Sequence, residues 1–155
     1  MHQVITRADA QTQDLGQQLG QLLDSGTCIA LTGDLGCGKT TFVKGLARGL
    51  GVDAGYHITS PTFTIINEYP ADKNLHLYHL DLYRLGSVEE LAYIGFEDLA
   101  DYNAVIVVEW PALLMKDSFI FDLELTFAWD SEYNRVISFF AYGQTGINVL
   151  SKMFS

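Results

Sequence analysis

No apolar run in this chain approaches the roughly 18 residues that a membrane-spanning helix needs. The amino-terminal stretch MHQVITRADAQTQ also lacks the apolar centre of a secretory leader. The expectation is a cytoplasmic protein with no membrane contact. Cysteine is scarce: Cys28 and Cys37 are the only two, which argues against a disulfide framework and predicts reduced thiols. Cations are scarce as well. Nine lysines and arginines stand against 19 aspartates and glutamates, a formal charge of −10. That balance disfavours autonomous nucleic-acid binding, whose affinity comes from cations displacing counterions, so any RNA is expected to be held by another subunit. Repeats, low-complexity segments and linkers are missing too. The 155 residues are therefore expected to form one domain, 1–155, burying roughly two-thirds of the unfolded chain's surface.

What is present is organised around residues 27–41, TCIALTGDLGCGKTT. Gly33-Asp34-Leu35-Gly36-Cys37-Gly38-Lys39-Thr40 fits the phosphate-loop pattern G-x-x-x-x-G-K-[ST] at every specified position. An apolar run, Ile29-Ala30-Leu31, precedes it, and a helical pattern, Phe42, Val43, Leu46 and Leu50, follows. A triphosphate needs such residues because glycines let backbone N–H groups converge on anionic oxygens at a helix start. Asp34 through Thr41 become candidate nucleotide-binding residues, with Lys39 reaching the outer phosphates and the Thr40 hydroxyl coordinating Mg²⁺. Cys37 is either a small filler of a loop position or, beside Lys39 at a helix start, a thiol of lowered pKa.

The remaining pattern is that of a mixed α/β chain. Val4-Ile5 predicts an edge strand, and Leu15, Leu19, Leu22 and Leu23 a helix over 9–25 ended by Gly26. Residues 52–62 read as a loop, with a strand from Phe63 to about Tyr69 and a hairpin partner over 75–81. Alternation in that second strand places Leu75, Leu77, His79 and Asp81 on one face. Ser87-Val88-Glu89-Glu90 fits a capping box opening a short helix, and a further short turn starts near Gly95. Ala104 to Val108 is continuously apolar, as in a parallel strand buried on both faces. A second hairpin is expected from 122–129 and 135–142, and a short helix from Ile147 to Phe154.

A Mg-nucleotide site of this class needs an acid at the end of a buried strand beside the phosphate loop. Asp81 and Glu109 both qualify, one to hold the metal and the other to position or deprotonate water, in either assignment. Both, with Lys39, are candidate catalytic residues. Ser60, Pro61, Thr62 and Thr64 form either an ordinary turn or a loop ordered by the nucleotide through its hydroxyls. Trp110 either fills the core or covers the nucleotide base. His57, His76 and His79 have no metal-ligand spacing and read as surface or hydrogen-bonded side chains. No Arg-rich lid of the kind small-molecule kinases use is visible, which favours hydrolysis over transfer. No Asn-Lys-x-Asp stretch is present, which favours ATP over GTP. With Arg84 as the one candidate finger, catalysis by the isolated chain is expected to be slow. A small-molecule kinase and a non-hydrolysing nucleotide-dependent scaffold are the alternatives.

Taken together and in this order, GDLGCGKTT, SPTFT, HLDLYRL and VVEWP resemble the TsaE (formerly YjeE) family, ATPases required for threonylcarbamoyladenosine in tRNA. The resemblance runs from the first helix to about Pro111 and weakens beyond it. It implies a three-layer P-loop NTPase fold with a mostly parallel central sheet and added antiparallel strands. It also implies a monomeric Mg-ATPase that docks on a TsaB-TsaD heterodimer and meets tRNA only through that complex. By position, Lys39 and Thr40 match the phosphate and Mg²⁺ residues, Ser60 to Thr64 the switch-like loop, Asp81 and Glu109 the acids, and Trp110 the family's tryptophan.

Overall fold

Strands that lie under helices on both faces must be apolar on both sides, and the continuous run at 104–108 marks where the sheet is thickest. The computed structural model describes residues 1–99 and 103–155. Its strands are β1 (His2–Thr6), β2 (Thr27–Thr32), β3 (Ile66–Pro70), β4 (His76–Asp81), β5 (Ala104–Glu109), β6 (Leu123–Trp129) and β7 (Arg135–Ala141). They form one seven-stranded sheet in the order β1-β7-β6-β2-β5-β4-β3. The four inner strands β6, β2, β5 and β4 are mutually parallel. β3 is antiparallel to β4, and β7 is antiparallel to both β6 and β1. The expected α/β architecture, parallel at its centre with antiparallel strands added at both sides, is therefore the observed one.

Helices cover both faces. On one side lie α1 (Asp9–Gly20), α2 (Lys39–Gly49) and α6 (Gly143–Met153), whose Leu15, Leu19, Phe42, Leu46 and Val149 pack with Ile29, Leu77, Val107 and Phe139 of the sheet. On the other lie α3 (Val88–Tyr93), α4 (Phe96–Leu99) and α5 (Ala112–Lys116), which with Tyr78, Leu80, Ile106 and Val108 form a second cluster. Alternation along β4 and β5 thus sends Leu77, His79 and Asp81 toward α2, together with Val105, Val107 and Glu109.

α1 and α2 meet along glycines rather than large side chains. A Cβ on Gly16 would lie 2.3 Å from the Phe42 carbonyl oxygen, and one on Gly45 would lie 1.9 Å from that of Gln13. Gly20 and Gly49 stand in the same relation to Leu46 and Gln17. Two Gly-x-x-x-Gly stripes, one on each helix, therefore set the distance between the backbones and so the seat of the helix that opens with Lys39.

Several boundaries differ from the sequence expectation. α1 stops at Gly20, because Leu22 and Leu23 donate to the carbonyls three residues back and tighten the chain out of the helix. Gly26, at φ 86°, turns into β2 rather than ending the helix. β3 starts at Ile66, not Phe63: Ile65 N–H donates to the Pro61 carbonyl, Ile66 N–H to that of Thr64, and Ile65 sits at φ 67°. These local bonds take the backbone groups that a ladder would need. α3 begins at Val88, one residue after the expected start at Ser87; Ser87 makes no side-chain cap, and Glu90 accepts from Gly86 N–H instead. α6 begins at Gly143, earlier than expected, and α5 had no sequence signal beyond Pro111.

Candidate functional site

In parallel α/β sheets the ligand crevice lies outside the carboxyl ends of the strands. Here that edge is defined by register: Leu31 of β2 pairs with Glu109 of β5, and Asp81 of β4 pairs with the same Glu109. The two candidate acids therefore end level with each other, beside the loop that leaves β2. Gly33, Gly36 and Gly38 carry φ of 141°, 78° and 104°, values that a side-chain-bearing residue adopts only under strain. The glycines of the motif are thus needed for the loop's path into α2.

A cleft of about 290 Å³ opens at this edge. Leu35, Gly36, Gly38, Lys39, Thr40 and Thr41 line one wall. Ser60, Thr62, Asp81, Glu109, Trp110 and Arg135 line the rest. A larger cavity of about 600 Å³ lies beneath α3 and α4 on the opposite face, and none of the candidate nucleotide residues reaches it.

Lys39 is 5% exposed, and its ammonium donates to the carbonyl oxygens of Gly33 at 2.6 Å and Asp34 at 3.0 Å. Its Nζ also lies 4.8 Å from the centre of the Trp110 ring. Trp110 is held at φ 57°, packs against Tyr83 with ring centres 4.9 Å apart, and is half-buried over the loop rather than in the core. The Thr40 hydroxyl donates to Glu109 Oε1 at 3.2 Å, a contact that joins residues 69 positions apart. The same Oε1 lies 2.8 Å from His79 Nε2.

Asp81 is engaged differently. Its Oδ2 accepts from the Ser60 and Thr62 hydroxyls, each at 3.2 Å, and its Oδ1 from Tyr83 N–H at 2.9 Å. Asp81 N–H in turn donates to the Ile65 carbonyl at 2.9 Å. The loop expected to be a turn or a switch is therefore fastened to β4 through its hydroxyls. Only part of it faces the cleft: Thr64 donates to Asn67 Oδ1 at 2.9 Å, and the Pro61 carbonyl accepts from Ile65.

One open alternative is decided and one expectation corrected. Burial raises the Cys37 thiol pKa and outweighs the lowering influence of Lys39, so Cys37 is a protonated, packed thiol. Arg84 stacks over exposed Phe63 at 4.1 Å and does not line the cleft. The arginine that does is Arg135, at the start of β7. Its guanidinium reaches Asp9 at 2.7 Å and Thr12 Oγ1 at 3.2 Å through one terminal nitrogen. Its buried Nε has no hydrogen-bond partner among the described residues and covers the face of Gly38 where a Cβ would otherwise stand. No spacing rule marks Arg135, since only the β6–β7 hairpin returns the chain to this edge. His79 carried a signal, because alternation placed it on the same face as Asp81. Of the other histidines, His76 pairs with Glu68 at 2.9 Å near the sheet edge, and His57 lines a separate cleft.

Hard oxygens from Thr40 and Glu109 at hydrogen-bond distance suit Mg²⁺, which takes one or two protein oxygens and completes its shell with phosphates and water. Among the described residues no group of three or more His, Cys, Asp or Glu side chains comes together as a metal cage. No helix of the described residues is long and apolar enough to cross a membrane.

Comparison with known proteins agrees with this architecture. The family described as threonylcarbamoyl adenosine biosynthesis protein TsaE matches residues 6–137, extending past Pro111 to include Arg135. Curated relatives carry the name tRNA threonylcarbamoyladenosine biosynthesis protein TsaE. One from Synechocystis is 50% identical over 107 residues, 66% of this chain and 66% of its own length. One from Aquifex aeolicus is 37% identical over 81% of this chain and 88% of the relative, and one from Bacillus subtilis is 36% identical over 86% and 81%. The crystal structure of YdiB from Bacillus subtilis superposes with a TM-score of 0.80 at 29% identity, covering 98% of this chain and 93% of that one. The match over 6–137 and these relatives show that the chain belongs to the TsaE family.

Proposed function

We propose that this chain is a Mg-dependent ATPase that serves threonylcarbamoyladenosine modification of tRNA, acting on a TsaB-TsaD heterodimer that holds the tRNA. The observation that carries the reading is the Thr40–Glu109 contact at 3.2 Å inside a cleft walled by the phosphate loop. Backbone N–H groups of residues 36–41 and the start of α2 receive the phosphates, and the positive end of the helix favours their charge. Lys39 exchanges two loop carbonyls for phosphate oxygens, a short movement of a side chain already aimed at the loop. Arg135 adds a second cation from the opposite wall, its unpaired Nε being a donor suited to an anionic oxygen. Thr40 and Glu109 would hold Mg²⁺, which when bound supplies charge neutralisation at the phosphates. Asp81 fastens the 60–65 loop over the cleft, so nucleotide binding and loop position are coupled through Ser60 and Thr62.

With 19 acidic residues against nine basic ones, such a protein works on the complex that carries tRNA rather than on tRNA itself. The test is phosphate release from ATP by the purified chain, alone and with TsaB-TsaD and tRNA. Stimulation by the complex and its loss in Lys39→Ala are expected. A Lys39→Ala chain as active as wild type, phosphate found on a metabolite, or nucleotide binding without release would overturn the reading.

A further inference from the structure

We propose that His79 is a positioning residue that fixes the Glu109 carboxylate in the orientation Thr40 requires; the inference rests on the ATPase reading above. His79 lies inside β4, is 0% exposed, and occupies a place on the α2 face that Leu77 and Leu75 fill with hydrocarbon one and two steps earlier in the alternation. A buried imidazole there costs desolvation that leucine would not. Its sole polar contact among the described residues is Glu109 Oε1 at 2.8 Å, while its Nδ1 is buried without a partner. A carboxylate is acceptor-only, so the contact assigns the proton to Nε2 and makes His79 the donor.

Glu109 Oε1 therefore receives two donors from two elements, the Thr40 hydroxyl of α2 at 3.2 Å and the His79 ring of β4 at 2.8 Å. No hydrogen bond of the described residues falls on Oε2. Two donors on one oxygen fix the carboxylate's rotation and leave the other oxygen to the cleft that Glu109 lines. Without the His79 donor, the Thr40 hydroxyl would be the one remaining restraint on that oxygen among the described residues. Groups that orient a ligating carboxylate in this way typically govern activity by about 10–100-fold. His79 itself does not line the cleft, so its influence passes through Glu109.

Three variants test this: His79→Gln, whose amide nitrogen reaches the place of Nε2; His79→Asn, whose amide falls short; and His79→Leu, which has no donor. Two readouts are needed, kcat and KM for ATP, and the crystal structure of each variant. The expected result is that Leu and Asn lower kcat about 10–100-fold with KM little changed, that Glu109 turns away from Thr40 in both, and that Gln restores both properties. If His79→Leu does not fold, His79→Asn carries the same comparison. Glu109 still seated on Thr40 in the Leu or Asn variant, or turnover equal to wild type, would overturn the inference. Wild-type protein without turnover even with TsaB-TsaD and tRNA present would instead refute the ATPase reading, and the crystal structures would still decide whether His79 holds Glu109.

Discussion

Replacing Gly45 with alanine puts the helix pair that seats the phosphate loop to a direct test. The added Cβ would lie 1.9 Å from the Gln13 carbonyl oxygen and 2.6 Å from its carbon, against 3.4 Å for ordinary contact. The obstacle is backbone on a packed helix, so α1 and α2 must move apart. Overpacking of this kind costs about 1–3 kcal/mol, and here the upper end applies because no flexible side chain can yield. Alanine's better helix propensity returns about 1 kcal/mol. The net loss of about 2 kcal/mol corresponds to a fall in Tm of roughly 4–8 °C for a chain of this size. Because α2 begins at Lys39, the displacement also shifts Lys39 and Thr40, and on the proposed function nucleotide affinity should fall with Tm. Gly86→Ala is the control: nothing lies within 4 Å of its Cβ, and a change within about 0.5 kcal/mol is expected. Urea unfolding and thermal melts of both variants decide the matter. A Gly45→Ala protein that melts with wild type would show that the close approach of the two helices is not what sets their packing.

Two further outcomes follow from named contacts. Asp81→Ala removes the acceptor for Ser60, Thr62 and Tyr83 N–H. Loss of roughly 1–3 kcal/mol of local stability should speed hydrogen exchange across residues 59–66 about tenfold or more, and unchanged exchange there would contradict the tethering role. The Cys28 thiol is raised to about 11, by burial first and the Asp122 charge second, from an ordinary value of 9.0. The folded chain then keeps a proton that the unfolded chain releases near pH 9, so this contribution to stability is present below pH 9 and is lost toward pH 11. The stability difference between wild type and Cys28→Ala should shrink over that window in denaturant titrations, and a constant difference would count against the raised thiol.

The sequence by itself determined the phosphate loop, the central buried strand and the two hairpins, because each is written in local pattern: glycine spacing, a continuous apolar run, period-two alternation. It also placed Asp81 and Glu109 at strand ends, and alternation placed His79 on the same face as Asp81. Tertiary structure decided what those groups do to one another. Parallel register brings Asp81 and Glu109 level, and the seat of α2 brings Thr40 onto Glu109 while the 60–65 loop takes up Asp81. Neither relation can be read from spacing, since the partners are 69 and about 20 residues apart along the chain. Arg135 enters the cleft because the last hairpin closes back beside β2, and the glycine stripes become visible only when two helices face each other. Local pattern fixes which face a side chain takes, and only the packing of elements fixes which other side chain it meets.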